Sequence, residues 1–579
     1  MKPRTQTTTL MWLLLVVFGL AVSAAAQPPL PADSAESYIV QVADGHDAVS
    51  IVGATGGSVT HQLGIIGAVA ADLTVVQHLR LEEDPAVERI WINGLAELTG
   101  KPDRKTTSKS EVVETHYPAH LGADALHLAG IDGSGVTIAI LDSGIFRDNG
   151  LTKSPLGSDR VLTEYDPVVD KVSTTSFSED DHGHGSHVTS IAASSRVTSD
   201  GNYNGMAPGA DLLVIRAFDA SGSATYADIV RGLDWVLANK DRFGIRILNC
   251  SFSATAQSFY WDDPINQAIM EIWRAGIVVV ASAGNGGPNA MTIGVPGNLP
   301  YVITVGAMTD NYTPEDMSDD LLASFSAAGP TVEAFIKPEV IAPGGHVLGL
   351  VKNNAKLAQD HPEFHDGGYY FNMSGTSQAT AFVSGIAALI LQDQPQLTPD
   401  EVKYRLMMTA RPAAFRDSAP VYSIFQQGAG LVNAFEAVSW TEQGSANLGL
   451  DIDADIAGTE HYHGPAEAYA KTIKAKGKET TVYTYYIVGP DGEPIEDDGY
   501  LWNGNYVFED GFAWSNAFAW SNGLAWSNAF AWSNTVAWTD ALAWSDAFAW
   551  SNAFAWSNGL AWSDAMTLPA WVNVWVEQE

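Results

Sequence analysis

The stretch from about residue 120 to 440 constrains the fold most. Short, continuously apolar runs ("VTIAILDSG", "DLLVIRAFD", "IRILNCSFS", "GIVVVASAGN", "YVITVGAMT") alternate with segments of helical period such as "ATYADIVRGLDWVLANK". A strand that is apolar on both faces must be covered on both. Strands separated by amphipathic helices join into a parallel sheet through crossovers. The pattern therefore predicts an α/β domain, a parallel sheet with helices on both faces. Near its end, Thr398-Pro399-Asp400-Glu401 sets a capping hydroxyl, a proline at the first helical position and a reciprocal acid ahead of the helix "EVKYRLMMTA". Ligands of such sheets bind beyond the carboxyl ends of the strands, so chemistry is expected there.

The flanks read differently. Residues 1–26 look like a secretory signal. Lys2 and Arg4 precede an apolar run from Met11 to Val22, and Ser23-Ala24-Ala25-Ala26 supplies the small residues a signal peptidase needs. The run is shorter than the roughly 20 residues that span a bilayer, which favours cleavage over anchoring. Residues 27–117 hold a compact pattern from Tyr38 to about Asn93: a strand, a helix, a break at Asp84-Pro85 and a final strand. The polar stretch "KPDRKTTSKSEVVETHYPAH" then reads as an exposed linker. A small domain and a linker behind a signal have the layout of a removable pro-segment. Of 579 residues, 67 are Asp or Glu and 30 are Lys or Arg, a formal charge of -37. That balance excludes nucleic-acid binding, which needs a basic footprint. Cys250 is the single cysteine, so no intramolecular disulfide can form. Export without disulfides fits a secreted, extracellular bacterial protein.

Residues 441–510 read as a β-rich connector, in which Asp451, Asp453 and Asp455 alternate in a strand-like run. From 511 to 566, Trp514, Trp520, Trp526, Trp532, Trp538, Trp544, Trp550, Trp556 and Trp562 recur every six residues. On a helix, six residues turn through about 600°, so no apolar stripe forms. On a strand, six is even and every Trp falls on one face. The period predicts a stacked β structure of the solenoid kind, with an unfolded aromatic-rich tail as the alternative. Residues 567–579 form a short C-terminal tail.

Three segments of the α/β region carry candidate chemistry. Asp142 sits where the apolar run "VTIAILD" meets a Ser-Gly turn. In "DDHGHGSHVTSIAASS", His184 stands between two glycines at the start of a helix, placed for a partner to approach. His182, His184 and His187 also match a zinc-hydrolase spacing, but Ser186 stands where that pattern has an acid. His187 reads as a buried structural histidine and His182 as a loop residue. In "MSGTSQATAFVSGIAALIL", Ser377 opens a long apolar helix, whose amino terminus favours developing negative charge.

The order Asp142, His184, Ser377 matches the Asp…His…Ser order of subtilisin-type triads. With "NGMAPGADLLVIRAFDASGSATYADIVRGLDWV", "ILNCSFS", "ASAGN", "ASFSAAGP", "IKPEVIAPG" and "GAGLVNAFEAV" in sequence, residues 118–440 resemble the subtilisin-like serine proteases, or subtilases. The resemblance implies a subtilisin-like catalytic domain, preceded by a small α+β propeptide domain and followed by a β-rich repeat region. It implies that Ser377 is the nucleophile, His184 the general base and Asp142 its orienter. Asn285 would be the oxyanion-hole side chain. Substrate backbone would pair as an added strand with Ser221-Gly222-Ser223 and Ser251-Phe252-Ser253. Protein or peptide substrates follow, with the chain's own propeptide as intramolecular inhibitor, cut off between about 100 and 118.

Departures are visible. Gln378-Ala379-Thr380-Ala381-Phe382 replaces the family's usual Met-Ala-x-Pro-His after the nucleophile, and Ser253 stands where many relatives have Gly. The chemistry needs no cofactor. Structural calcium is common in the family, and Asp200, Asn202 and Asn204 are candidate ligands, followed by Gly205 and Asp211 at loop-like spacing. A reading from another class makes the protein structural or adhesive, with the Trp repeats self-associating or binding a surface.

Overall fold

The computed structural model describes residues 35–98, 101–102, 115–174, 179–314, 317–413, 422–475 and 478–487, with three dipeptides further on. The leader, the linker 103–114 and nearly all of the Trp repeats lie outside the described residues. Among the described residues no helix is long and apolar enough to cross a membrane.

The described residues divide into two compact units, the first formed by residues up to 60 together with 69–92. It contains β1 (Ala35–Val42), α1 (Ala48–Ala54), β2 (Ser58–Leu63), β3 (Ala68–Thr74), α2 (Val75–Glu82) and β4 (Val87–Ile92). The sheet order is β2-β3-β1-β4, with β1 and β4 antiparallel. Its core is Val40, Val42, Val52, Val69, Ala71, Leu73 and Leu81. Thr74 starts α2 with a capping box: its hydroxyl accepts from the Gln77 N–H while Gln77 Oε1 accepts from the Thr74 N–H.

The second unit opens with two short strands, β5 (Leu95–Leu98) and β6 (Lys101–Pro102), and then builds a nine-stranded sheet. In chain order its strands are β7 (Thr137–Asp142), β8 (Val161–Asp166), β9 (Lys171–Ser173), β10 (Asp211–Arg216), β12 (Ile245–Cys250), β14 (Val278–Ser282), β15 (Ile303–Thr309), β16 (Leu321–Leu322) and β17 (Val340–Pro343). Between them fall β11 (Ser223–Thr225) and β13 (Phe252–Ser253), which lie outside that sheet. The order across the sheet is β16-β15-β14-β12-β7-β10-β8-β9, with β17 also pairing β15. Every pairing from β8 to β17 is parallel; β9 and β16 are antiparallel. β7, β14 and β15 are buried along their whole lengths, as continuous Ile, Val and Ala runs require.

Four long helices complete the layers: α3 (His184–Ala193), α4 (Tyr226–Phe243), α5 (Pro264–Arg274) and α6 (Thr376–Asp393). The α3–α6 pair and the α4–α5 pair each pack together and against the sheet, so both faces are covered. Thr225 caps α4 by accepting the Asp228 N–H at 3.2 Å, and Gly244 ends it in the left-handed region. α7 (Pro399–Met408) starts with the expected capping box, Thr398 N–H donating to Glu401 Oε2 at 2.7 Å. The hairpin β18 (Val347–Leu350) and β19 (Tyr370–Ser374) leads into α6.

One segment differs from expectation. Asp451 to Asp455 is not a strand. Residues Ile452–Ile456 form a helix, α8, with the Asp451 carboxylate accepting from the Asp453 and Ala454 N–H groups at 3.0 and 3.1 Å. Asp455 is buried and accepts from Tyr260 Oη at 2.6 Å, Tyr301 Oη at 2.8 Å and His461 Nδ1 at 2.8 Å. The alternation of acids is therefore one cap and one buried anchor, not a sheet face. A strand pair does follow, β20 (Ala466–Ala475) with β21 (Lys478–Ile487), antiparallel throughout. In the repeats, Ala519–Trp520 pairs parallel with Ala537–Trp538, which pairs antiparallel with Trp526–Ser527. The remaining repeat residues lie outside the described residues.

Candidate active site

Asp142 ends β7, the central strand of the sheet, and its register with Arg216 on β10 and of Leu141 with Cys250 on β12 fixes its height. His184 begins α3. Its Nδ1 lies 2.8 Å from Asp142 Oδ1 and 3.0 Å from Oδ2, with both side chains almost fully buried. A carboxylate accepts only, so Nδ1 carries the proton and Nε2 presents a lone pair. His184 Nε2 is buried and has no hydrogen-bond partner among the described residues. The glycines beside His184 have physical causes. Gly183 has φ 102°, and a Cβ on Gly185 would collide with the Gly144 carbonyl and stand 3.2 Å from Asp142 Oδ1.

Ser377 lies in the first turn of α6. Its Oγ donates to the Ser251 carbonyl at 2.8 Å, and Ser251 Oγ donates back to the Ser377 carbonyl at 3.0 Å. Ser251 Oγ in turn accepts from Asn249 Nδ2, whose Oδ1 accepts from Ser384 Oγ, both at 2.9 Å. A buried polar chain thus ties the end of β12 to α6. Asn285 Oδ1 accepts from the Thr376 N–H and from Thr376 Oγ1, each at 3.0 Å. A backbone N–H can only donate, so this end of the carboxamide is the oxygen and the NH₂ points the other way. Together these groups form an imidazole held by a carboxylate, a serine at a helix amino terminus and an oriented amide donor.

The cleft beside them holds a segment of the chain itself. β5 lies antiparallel between β11 and β13, Ala96 opposite Ala224 and Glu97 opposite both Ser223 and Ser253, while Leu98 N–H donates to the Gly222 carbonyl at 3.1 Å. β6 pairs antiparallel with β19, Lys101 opposite Ser374. Among the expected binding residues, Gly222, Ser223, Phe252 and Ser253 line this segment. Ser221 does not: its N–H and Oγ are captured by Asp219 Oδ1 at 2.8 and 2.6 Å. The pairing strand starts two residues later and runs through Ala224 and Thr225, which the sequence reading omitted. Ser253 Oγ sits between two glycines. A Cβ on Gly284 would stand 3.1 Å from it, and one on Gly294 would overlap it.

The zinc spacing does not become a site. His187 Nε2 is shared between the Val347 and Phe371 carbonyls at 3.2 and 3.1 Å, and burial pushes its pKa down to about 3. Its Nδ1 therefore accepts from Gln378 Nε2 at 3.4 Å. His182 packs on Gly222, and burial with the neighbouring His184 lowers its pKa to about 4. The calcium candidates do not converge either. Asp200 and Asn202 are exposed in a turn, while the Asn204 side chain is buried and donates to Tyr370 Oη at 2.9 Å. Among the described residues no group of three or more His, Cys, Asp or Glu side chains is arranged to hold a metal. Burial raises the Cys250 thiol, so it stays protonated and inert.

Asp180 was not singled out from the sequence, yet it is central to the loop ahead of α3. Oδ1 accepts from Ser143 Oγ at 2.9 Å and Gly183 N–H at 2.7 Å. Oδ2 accepts from Ser186 N–H at 2.8 Å and Ser186 Oγ at 2.7 Å. An acid three residues before a glycine carries no local signal of this; only the tertiary meeting with Ser143 reveals it.

Comparison with known proteins agrees with this geometry. The family model described as "Subtilase family" matches residues 133–430, just over half of the chain, and the chain belongs to that family. It is a serine protease of the subtilisin type. It is 40% identical over 314 residues to the serine protease AprX of Bacillus subtilis, covering 53% of this chain and 67% of that one. It is 28% identical over 434 residues to subtilisin E of the same species, covering 73% and 96%. In fold it is similar to fervidolysin from Fervidobacterium pennivorans, a keratinolytic enzyme related to subtilisin. That match has a TM-score of 0.55 at 21% identity and covers 80% of this chain and 69% of that one.

Proposed function

We propose that this protein is a secreted endopeptidase that hydrolyses peptide bonds through Asp142, His184 and Ser377 and matures by cutting off its own amino-terminal segment. The observation that carries the reading is the chain's own β5, seated as an added strand between β11 and β13, the latter directly after the Ser251 carbonyl that holds Ser377 Oγ. Substrate backbone binds there by the same hydrogen bonds. Ser377 Oγ attacks the carbonyl carbon, and its proton passes from the Ser251 carbonyl direction to His184 Nε2. The imidazolium is held by Asp142 and returns that proton to the leaving amine, giving an acyl-enzyme. The Asn285 NH₂ and the Ser377 N–H stabilise the oxyanion. Water activated by His184 then releases the acid and restores Ser377.

Leu98 lies opposite Phe252, the residue after the Ser251 carbonyl that holds Ser377 Oγ, and Lys101 lies opposite Ser374, three residues ahead of Ser377. The self-cleaved bond therefore falls between Leu98 and Lys101, at or just ahead of the amino-terminal edge of the 100–118 window read from sequence. The apolar leader supports export. No step requires a metal. Treating the processed protein with a fluorophosphonate tests the assignment. One adduct per chain is expected on the peptide holding Ser377, and none in His184→Ala. Labelling elsewhere, or equal labelling of both proteins, would contradict it.

A further inference from the structure

Two turns must be held in one relation for His184 to work: the one after Asp142 on β7, and the one before His184 on α3. Asp180 is bonded to both. Through Gly183 and Ser186 it fixes the first turn of α3 on either side of His184, and through Ser143 it reaches the residue next to Asp142. Ser143 closes the loop, since its N–H donates to Asp142 Oδ1 at 2.8 Å while its Oγ accepts from Gly185 N–H at 2.9 Å. Ser186 Oγ likewise accepts from Phe146 N–H at 3.0 Å, beyond the Asp142 turn.

The donor count defines what this position tolerates. Both serine hydroxyls already accept a backbone N–H and have a proton to give; the shorter bond of each goes to Asp180, at 2.9 and 2.7 Å, with Asp142 Oδ1 at 3.3 Å from Ser143 Oγ. Four donors converge on two oxygens, a pattern that only an acceptor on both sides satisfies. Asparagine would turn an NH₂ against two of them. Asp180 is also buried, 2% exposed, so a lost bond is not replaced by solvent.

We propose that Asp180 is a positioning residue of the catalytic step: a buried four-donor acceptor that locks the Asp142 and His184 turns together and so sets the imidazole against the nucleophile. The inference rests on the triad reading above. It touches neither substrate nor the reacting atoms. Its loss therefore lowers kcat and leaves peptide binding by β11 and β13 intact.

The test compares wild type, Asp180→Asn, Ser143→Ala and Ser377→Ala on a short chromogenic peptide, each with its amino-terminal segment removed, alongside thermal melts. Folded Asp180→Asn is expected to lose on the order of 10²-fold in kcat with KM within about twofold, as displaced catalytic groups do. Ser143→Ala, which removes the Asp180 link to the Asp142 turn together with the acceptor of the Gly185 N–H, is expected to lose about tenfold in the same manner. Variants that merely melt earlier, with wild-type kcat per folded molecule, would overturn the proposal, as would a loss expressed in KM alone. Should Asp180→Asn fail to fold, Ser143→Ala decides by the same split. An active Ser377→Ala would instead sink the triad reading itself, which keeps the two failures apart.

Discussion

Single atoms decide most of what this protein does. Asn285 is the clearest case, because two bonds from Thr376 hold its oxygen and so aim its NH₂. Asn285→Ala is expected to lower kcat by about 10²–10³-fold with little change in KM, read from steady-state peptide hydrolysis. Asp263 makes a stability prediction. It caps α5 by accepting the Ile265 and Asn266 N–H groups at 2.9 and 3.1 Å, while burial raises its carboxyl from 3.8 to about 6. The folded state then binds more protons than the unfolded one between those values. Stability is lost as pH rises from 4 to 6, and the cost stays in force above that. Asp263→Asn keeps an acceptor oxygen for the cap without the buried charge. Melts are expected to place it about 1 kcal/mol above wild type at pH 8, with a flatter profile between pH 4 and 6. What the sequence conveys at this scale is uneven. Asp142, His184 and Ser377 each announce themselves by a turn, a glycine pair or a helix start. Asp180 and Asp455 do not, because the contacts that tie them to the rest of the fold come from far away in the chain: Ser143 for one, Tyr260 and Tyr301 for the other.

Among the elements, the parallel core strands were legible because burial on both faces leaves no choice but continuous apolar residues, as in β7 and β14. β8 and β17 were not, since Thr163, Glu164 and Tyr165 interrupt one run and only four residues make up the other. Ser221 reads as extended in sequence but is folded into a turn by Asp219, so the strand that pairs with β5 begins at Ser223. The helix at 452–456 reads as a strand in sequence because a cap and a buried anchor four residues apart mimic alternation around Asp453. The wall formed by β13 and the Gly284 and Gly294 loops yields a specificity prediction. Ser253 Oγ fills the space those glycines leave, on the strand that lies opposite Glu97 and Leu98 of the bound segment. Ser253→Gly is expected to raise kcat/KM for substrates with Phe before the cleaved bond relative to Ala by about tenfold. A peptide series differing only at that residue measures it; an unchanged ratio would mean that Ser253 does not bound the pocket.

At the scale of the whole molecule, a catalytic domain is followed by the repeats. The acid hub at Asp455 anchors α8 to Tyr260 and Tyr301, which marks 451–462 as an integral part of the protease unit. A chain shortened by residues 511–566 is therefore expected to hydrolyse small peptides at the wild-type rate, with any assembly or surface retention lost separately. Loss of peptide hydrolysis in that deletion would tie the repeats to catalysis. On the proposed reading, Asp142, His184 and Ser377 cut the strand already lying in their own cleft. Intact mass and amino-terminal sequencing of wild type and Ser377→Ala, expressed side by side, test it most directly. Wild type is expected to acquire a new amino terminus within residues 99–101, while Ser377→Ala stays uncut. A Ser377→Ala protein that still processes itself at the same bond would contradict it.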